Sequence, residues 1–574
     1  RQGDGMNLDT MLQAARGERT LDLLLTNARI VNVFSREIVS GSIAIADGTI
    51  VGFSDGQARQ TLDLDGRFVA PGFIDPHVHI ESSMTCVSEF ARAVGVHGTT
   101  TVIADPHEIA NVCGTEGIRY MLQSAADQPI NIYYTLPSCV PATTLETSGA
   151  RLEADDLAPL MGHERVVGLG EVMNYPAVIN ADPQILAKLA LARKHAKTIE
   201  GHSPGLSGSD LTAYIAAGVQ SDHECTSASE AREKLSAGMA IMIRQGTAAR
   251  NLKQLLPIVT EKTAHRTMWC TDDRHPHDLL QGHIDSIVRE AIGLGLSSLI
   301  AIQMATINAA EYYGLKHLGA IAPGRQADLV IFSDLAAPVI EEVYCRGNHI
   351  ASRGCMFSDI PRPASLAAPP SMKVRPDLLD LTVPVQGQLL RVIEIVPDQI
   401  ITRQRLAPPT VVDNLTVSDP ERDLLKIAVV ERHTGSERVG KGFVSGFGLQ
   451  RGALASSVAH DSHNIIVVGA SDADMRTAVA EVVEMGGGLA AVCNCRAMAR
   501  LPLPVAGLMS LEPVEVVDRY LQQVLEAARE LGSHLSDPFM TLSFLALPVI
   551  PELKITDRGL IDAVRFEPIS LFAR

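Results

Sequence analysis

The chain has 574 residues, 46% apolar and 20% charged, the balance of a globular protein with a large core. Its net charge of −17 disfavours a nucleic-acid backbone as partner, which calls for a basic surface, but leaves a small uncharged ligand open. No unbroken run of eighteen apolar residues occurs, so no membrane span is expected; nine scattered cysteines, with no apolar leader before them, read as reduced thiols of a cytoplasmic protein.

In chain order, LLLTNARIVNV and SGSIAIADGTIVGF read as short strands, with Asp47-Gly48 as the hairpin turn. The same texture returns in GAIAPGRQADLVIFSD and EEVYCRGNHI. Residues 1–68 and 319–355 are therefore expected to build one small β-sandwich from both ends of the segment they flank. Within 69–318 short apolar runs alternate with helical stretches such as Pro183 to Lys197 and Ser227 to Ala237, the pattern of βα units on a parallel sheet. Eight candidate strands can be read there: FVAPGFIDPHVHI, TTTVIADP, NIYYTLP, VVGLGEVM, TIEGHS, GVQSDHE, AIMIRQG and TMWCTDD. Eight strands over about 250 residues match a (β/α)₈ TIM barrel. A doubly wound open sheet is the alternative, but it would not need polar residues at so many strand ends. Residues 356–382, centred on PRPASLAAPPS, have linker composition, and 383–574 are long enough for a separate C-terminal α/β domain. Cys493-Asn494-Cys495, the one tight cysteine pair, reads as packing rather than metal binding.

The strongest local signal is Asp75-Pro76-His77-Val78-His79 at the end of the first barrel strand. Residues two apart on a strand point the same way, so His77 and His79 can aim two imidazoles at one divalent metal. Glu171 closes the fourth strand, His202 the fifth, His223 the sixth and Asp272 the eighth. All lie where a barrel carries its active site, and buried carboxylates are costly unless paired or bound to cations. The bland alternative is a set of satisfied polar residues at strand ends.

PGFIDPHVHIESS, GHSP, SDHE and the carboxylates of TDD resemble the amidohydrolase superfamily. HIESS, ADPHEIANVCG, GLGEVM, GHSPGLSG, SDHECTS and GFGLQRGALASSVAHDSHNIIVVG together resemble its adenine deaminase family, across nearly the whole chain. Many binuclear amidohydrolases carry a carboxylated lysine on the fourth strand; here Glu171 can supply the same bridging oxygens. The resemblance implies hydrolysis of adenine to hypoxanthine and ammonia at a divalent, binuclear manganese or iron centre, zinc being possible. It assigns His77, His79, Glu171, His202, His223 and Asp272 to metal, and gives Asp272 the proton shuttle between the attacking water and the leaving amine.

Glu81, His107 and Glu108 are candidates for proton transfer, and Ser82, Ser83, Asp105, Arg244, Gln245 and His463 for substrate contact. Bland alternatives stand beside them: a helix cap for Ser82-Ser83, a solvated loop for His107-Glu108, a rim position for Arg244 and Gln245. The loop around Ser462-His463-Asn464 could close the site or be a surface turn, and His460 and Asp461 share that ambiguity. A purine base is the expected partner, in a homodimer without nucleic acid or membrane. A cytidine-type deaminase is excluded, since no P-C-x-x-C occurs. A cyclic-amide hydrolase and a non-catalytic barrel that only binds ligands are the alternative functions. Intact metal positions argue against the second, and Glu171 in place of lysine against the first.

Overall fold

A computed structural model describes residues 7–357, 371–397 and 399–573. Its centre is a ring of eight parallel strands: β1 (Phe73–Val78), β2 (Thr99–Ala104), β3 (Asn131–Leu136), β4 (Val166–Val172), β5 (Thr198–Gly201), β6 (Ser221–Asp222), β7 (Ala240–Arg244) and β8 (Thr267–Cys270). Strands β1 to β5 are hydrogen-bonded in sequence, as are β6 to β8, and Val78 bridges Asp272 in parallel to shut the ring. Nearly every strand residue is buried, as expected where helices cover a parallel sheet.

The closure is made at the candidate ligands themselves. Asp272 N–H donates to the His77 carbonyl and His79 N–H to the Asp272 carbonyl, each at 3.0 Å. These bonds hold Asp272 at φ +59°, a left-handed conformation that costs a non-glycine residue roughly 1 kcal/mol or more.

The flanking β-rich segments join into one nine-stranded sheet, with Leu21–Asn32, Glu37–Ala46 and Thr49–Gly52 from one side and Leu329–Phe332, Glu342–Cys345 and Asn348–Ser352 from the other. The sheet curls until Thr49 bridges Gln326, wrapping a core that includes Leu25, Ile43, Leu329 and Ile331. Phe68–Pro71 pairs with Leu329–Phe332 and so belongs to this sheet, not to β1. The crossing point is thus Gly72 rather than residue 68. A Cβ there would lie 2.1 Å from Thr100 Oγ1, so the chain can pass between the two sheets only without a side chain.

Of the expected linker, 358–370 lie outside the described residues. From Ser371 onward the chain is not a linker: Leu379 and Leu381 are buried against the helix Asp472–Glu484. The C-terminal domain is a second, largely antiparallel nine-stranded sheet, covered by that helix on one face and by Val514–Glu530 on the other. Strand Ile465–Gly469 shows the alternation that produces this: Ile465 and Val467 face the first helix, Ile466 and Val468 the second.

The two domains share cores. Met84 packs into the C-terminal domain, while Val505, Ala506, Leu508 and Met509 pack into the barrel. Ser510 exchanges backbone hydrogen bonds with Met84 and Cys86 at 2.8 and 3.0 Å. Arg92 grips Glu515 through two bonds, and Asp557 accepts from Thr147 N–H and Oγ1 at 2.8 and 2.7 Å. The C-terminal domain is therefore fixed over the C-terminal mouth of the barrel.

Candidate metal centre

Six residues meet at that mouth. The Glu171 carboxylate lies between two groups of imidazoles: Oε1 is 3.1 Å from His79 Nε2 and 3.9 Å from His77 Nε2, while Oε2 is 2.7 Å from His202 Nδ1 and 3.3 Å from His223 Nε2. Asp272 Oδ1 lies 3.4 Å from His77 Nε2 and 3.1 Å from His79 Nε2. Exposure is 5% or less for all but His202, whose ring is 26% exposed.

The hydrogen bonds behind the rings test whether these groups suit a cation. His79 Nδ1 lies 3.0 Å from the Asp105 backbone carbonyl, which only accepts, so Nδ1 carries the proton. His77 Nδ1 faces Glu200 Oε2 at 2.9 Å and is protonated for the same reason, and Tyr313 donates to the other Glu200 oxygen at 2.8 Å. Both Nε2 lone pairs then point at carboxylate oxygens. His77 Nε2 and His223 Nε2 are buried with no hydrogen-bond partner. Lone pairs facing anionic oxygens inside a protein repel unless a proton or metal lies between them, and a backing acceptor is the usual companion of a metal-ligating histidine. The residues fit a divalent cation.

Local charge is arranged to match. Burial pushes the Asp272 carboxyl up, but the Arg244 guanidinium and the two facing imidazoles, when these carry the proton that a metal would replace, outweigh it and hold it well below its usual range. Arg244 Nη1 donates to Asp272 Oδ2 at 2.6 Å and also bonds Glu224. Burial likewise opposes ionisation of Glu171, and the imidazoles around it, when they carry the proton that a metal would replace, hold it well below its usual range. His107 lies with Nδ1 3.4 Å from Glu171 Oε1; burial and the neighbouring His79 lower it to about 4, so it is neutral.

The other candidates divide. Asp105 stands behind the centre, where its Oδ2 accepts the Glu171 N–H at 3.2 Å. Ser82 Oγ reaches Asp273 Oδ1 at 2.5 Å and Glu108 Oε1 at 3.4 Å. Burial, then the charge of Glu108, raises Glu81 to about 8. From the C-terminal domain, His460 Nδ1 comes within 3.3 Å of Glu108 Oε1 and His463 Nε2 within 3.9 Å of Glu108 Oε2. Two candidates are not brought in. Ser83 Oγ closes its own turn on the Ile80 carbonyl at 2.6 Å, and the Gln245 amide donates outward to Glu290 at 3.0 Å.

Sequence reasoning missed Glu200, Glu224, Asp273 and Glu146. Glu200 was readable, since it lies on β5 two residues before His202, the spacing that strand alternation turns to one side. Glu224 and Asp273 directly follow assigned residues. Glu146, buried with Oε1 unpartnered, lies in no motif.

Comparison with known proteins gives two family models: "Amidohydrolase family" over residues 68–350 and "Adenine deaminase C-terminal domain" over 399–567. An adenine deaminase of Desulfatibacillum aliphaticivorans is 54% identical over 565 residues, covering 98% of this chain and 99% of its own. Adenine deaminases of Methanothrix thermoacetophila (49% identical; 99% of this chain, 100% of its own) and Dehalococcoides mccartyi (48%; 98% and 99%) align over nearly the same span.

Proposed function

The chain belongs to the adenine deaminase family of the amidohydrolases, and on that premise we propose that it hydrolyses adenine to hypoxanthine and ammonia. The observation that carries this reading is the Glu171 carboxylate, with one oxygen turned to His77 and His79 and the other to His202 and His223. With Asp272, these residues would hold a divalent metal centre. The donor set, imidazole and carboxylate without thiolate, favours manganese or iron and admits zinc.

A divalent metal held there would lower the pKa of water toward ~7 and so supply the nucleophile at neutral pH. The remaining work falls to the chain. Asp272, kept anionic by Arg244, accepts the proton of the water that attacks the amino-bearing ring carbon. It returns that proton to the departing amine, so that adenine plus water yields hypoxanthine plus ammonia. Glu81, protonated at neutral pH and with Oε2 unpartnered, is the candidate donor to the adjacent ring nitrogen, and it recovers its proton as the new C6 hydroxyl becomes the carbonyl of hypoxanthine. Glu200 and the Asp105 carbonyl orient His77 and His79. Nine unpaired cysteines support a reducing, cytoplasmic setting, and the acidic surface supports a partner other than nucleic acid. Among the described residues no helix is long and apolar enough to cross a membrane. A homodimer is the expected assembly, to be read from sedimentation.

The test is steady-state turnover of manganese-loaded protein on adenine, following ammonia and the ultraviolet shift to hypoxanthine. Adenosine, guanine and dihydrouracil run alongside, and Asp272→Asn serves as the blank. Metal-dependent loss of adenine that falls about 10²–10⁴-fold in the variant is expected for a general acid–base residue. Hydrolysis of dihydrouracil without adenine turnover would move the reading to a cyclic-amide hydrolase. Metal binding with no turnover of any substrate would leave a binding barrel.

A further inference from the structure

Glu108, His460 and His463 form a second cluster of ionisable side chains, built across the domain boundary and buried to 6% exposure or less. Its composition resembles a metal site, but its hydrogen bonds do not. Ala459 N–H donates to His463 Nδ1 at 3.2 Å, so that nitrogen is the acceptor and the proton sits on Nε2. This is the reverse of His77 and His79, whose Nδ1 atoms carry the proton and free Nε2 for a metal. His463 therefore presents a buried N–H donor with no partner, 3.9 Å from Glu108 Oε2 and so beyond hydrogen-bond reach of it. Glu108 is the matching acceptor, its charge balanced by His460.

The cluster lies one side chain beyond the metal centre. The His107 ring packs 4.6 Å from that of His79, and Ser82 Oγ links Asp273 to Glu108. In a purine, N3 lies across the six-membered ring from C6, and N9–H lies beside N3. A base with its C6 amino group at the metals thus turns an acceptor and a donor to the far side.

We propose that Glu108 and His463 read this far edge, Glu108 accepting from N9–H and His463 Nε2–H donating to N3. This rests on the adenine deaminase reading and makes the C-terminal domain half of the binding site. It also gives the site a physical basis for preferring the free base, because a sugar on N9 removes the donor and meets Glu108. That carboxylate cannot swing aside freely: His460 backs it and is itself stacked on Phe544, centroids 4.9 Å apart. The loop is held from behind by Arg432, a positioning residue that is fully buried and donates to the His463 carbonyl and, at 2.9 Å, to the Ala506 carbonyl. His433 Nε2 adds a bond to the Ser462 carbonyl at 2.7 Å.

The experiment pairs changes in the enzyme with changes in the base. Wild type, His463→Phe and His463→Gln are assayed on adenine and 3-deazaadenine, with hypoxanthine binding measured by calorimetry and metal content per chain by atomic absorption. Replacing N3 by CH should cost the wild type about 10-fold in kcat/KM, the worth of one buried hydrogen bond, and cost His463→Phe almost nothing further. His463→Gln, which keeps an N–H donor, should recover most of the hypoxanthine affinity and restore the preference for adenine. An equal 3-deaza penalty in wild type and His463→Phe would overturn the assignment, as would the loss of one metal per chain in that variant. Glu108→Gln provides the second arm: if it accepts 9-methyladenine no better relative to adenine than wild type does, the N9 contact is wrong. Wild-type inactivity on adenine would instead overturn the reaction itself, a result separate from these ratios.

Discussion

Gly170→Ala isolates how far the centre depends on the residues behind it. Gly170 precedes Glu171 on β4, and its backbone is one that alanine adopts without strain. A Cβ there would lie 2.0 Å from Asp105 Oδ2, 2.6 Å from Asp105 Cγ and 3.0 Å from Thr135 Oγ1. Asp105 must therefore retreat by about 1 Å or more to reach ordinary contact distance. Its backbone carbonyl orients His79 and its carboxylate holds the Glu171 N–H, so one methyl group disturbs two ligands together. Overpacking of this kind costs about 1–3 kcal/mol of stability. Loss of a supporting bond lowers metal affinity about 10–100-fold, and a displacement of about 1 Å at a site can cost 10²-fold in rate. The assay is competition for manganese with a chromophoric chelator, with urea unfolding and ammonia release on the same preparations. Gly162→Ala, with nothing within 4 Å of the added carbon, is the control. Wild-type metal affinity and kcat/KM in a Gly170→Ala protein would refute the argument that Asp105 positions the ligands.

Three further outcomes are expected. Arg244→Met removes the guanidinium shared by Asp272 and Glu224; the buried carboxylates left behind should cost about 3–5 kcal/mol in urea unfolding, with Arg244→Lys recovering part. Chelator treatment should lower the thermal midpoint, because a metal at 100 times its Kd contributes about 2.7 kcal/mol to the folded state, and manganese should restore it; an unchanged midpoint contradicts a metal-filled cluster. Lys554 is fully buried and, among the described residues, donates only to the Ile400 and Phe544 carbonyls; burial lowers it from 10.5 to about 7. Between those values the unfolded chain holds a proton that the folded chain has lost. Stability therefore rises from pH 7 toward 10.5, by up to about 5 kcal/mol, and Lys554→Met should abolish that slope in urea unfolding across this range.

Much of this was legible in the chain. The alternation of short apolar runs with helices announces the parallel barrel, since a strand covered on both faces must be apolar throughout. The candidate ligands His77, His79, Glu171, His202, His223 and Asp272 declare themselves because each lies at the end of a strand, where the fold turns side chains into one mouth. Gln245 and Ser83 have the same local credentials, yet one turns outward to Glu290 and the other closes its own turn. Rotamer and loop path decide such cases, and neither is encoded in spacing. The first candidate strand was also divided differently from its apolar run, because pairing with Leu329–Phe332 claims Phe68–Pro71.

The sequence by itself determined the barrel and the histidines and carboxylates gathered at its mouth, because strand periodicity and residue type are local properties. Tertiary structure alone decided which ring nitrogen of each histidine is free, since that depends on Glu200, the Asp105 carbonyl and Ala459 N–H, each brought in by folding. It alone decided that His460 and His463, more than 350 residues along the chain from Glu108, stand beside it. Contacts across such a separation are fixed by how two finished domains pack, here through the shared cores around Met84 and Met509, and no periodicity within either domain carries that information.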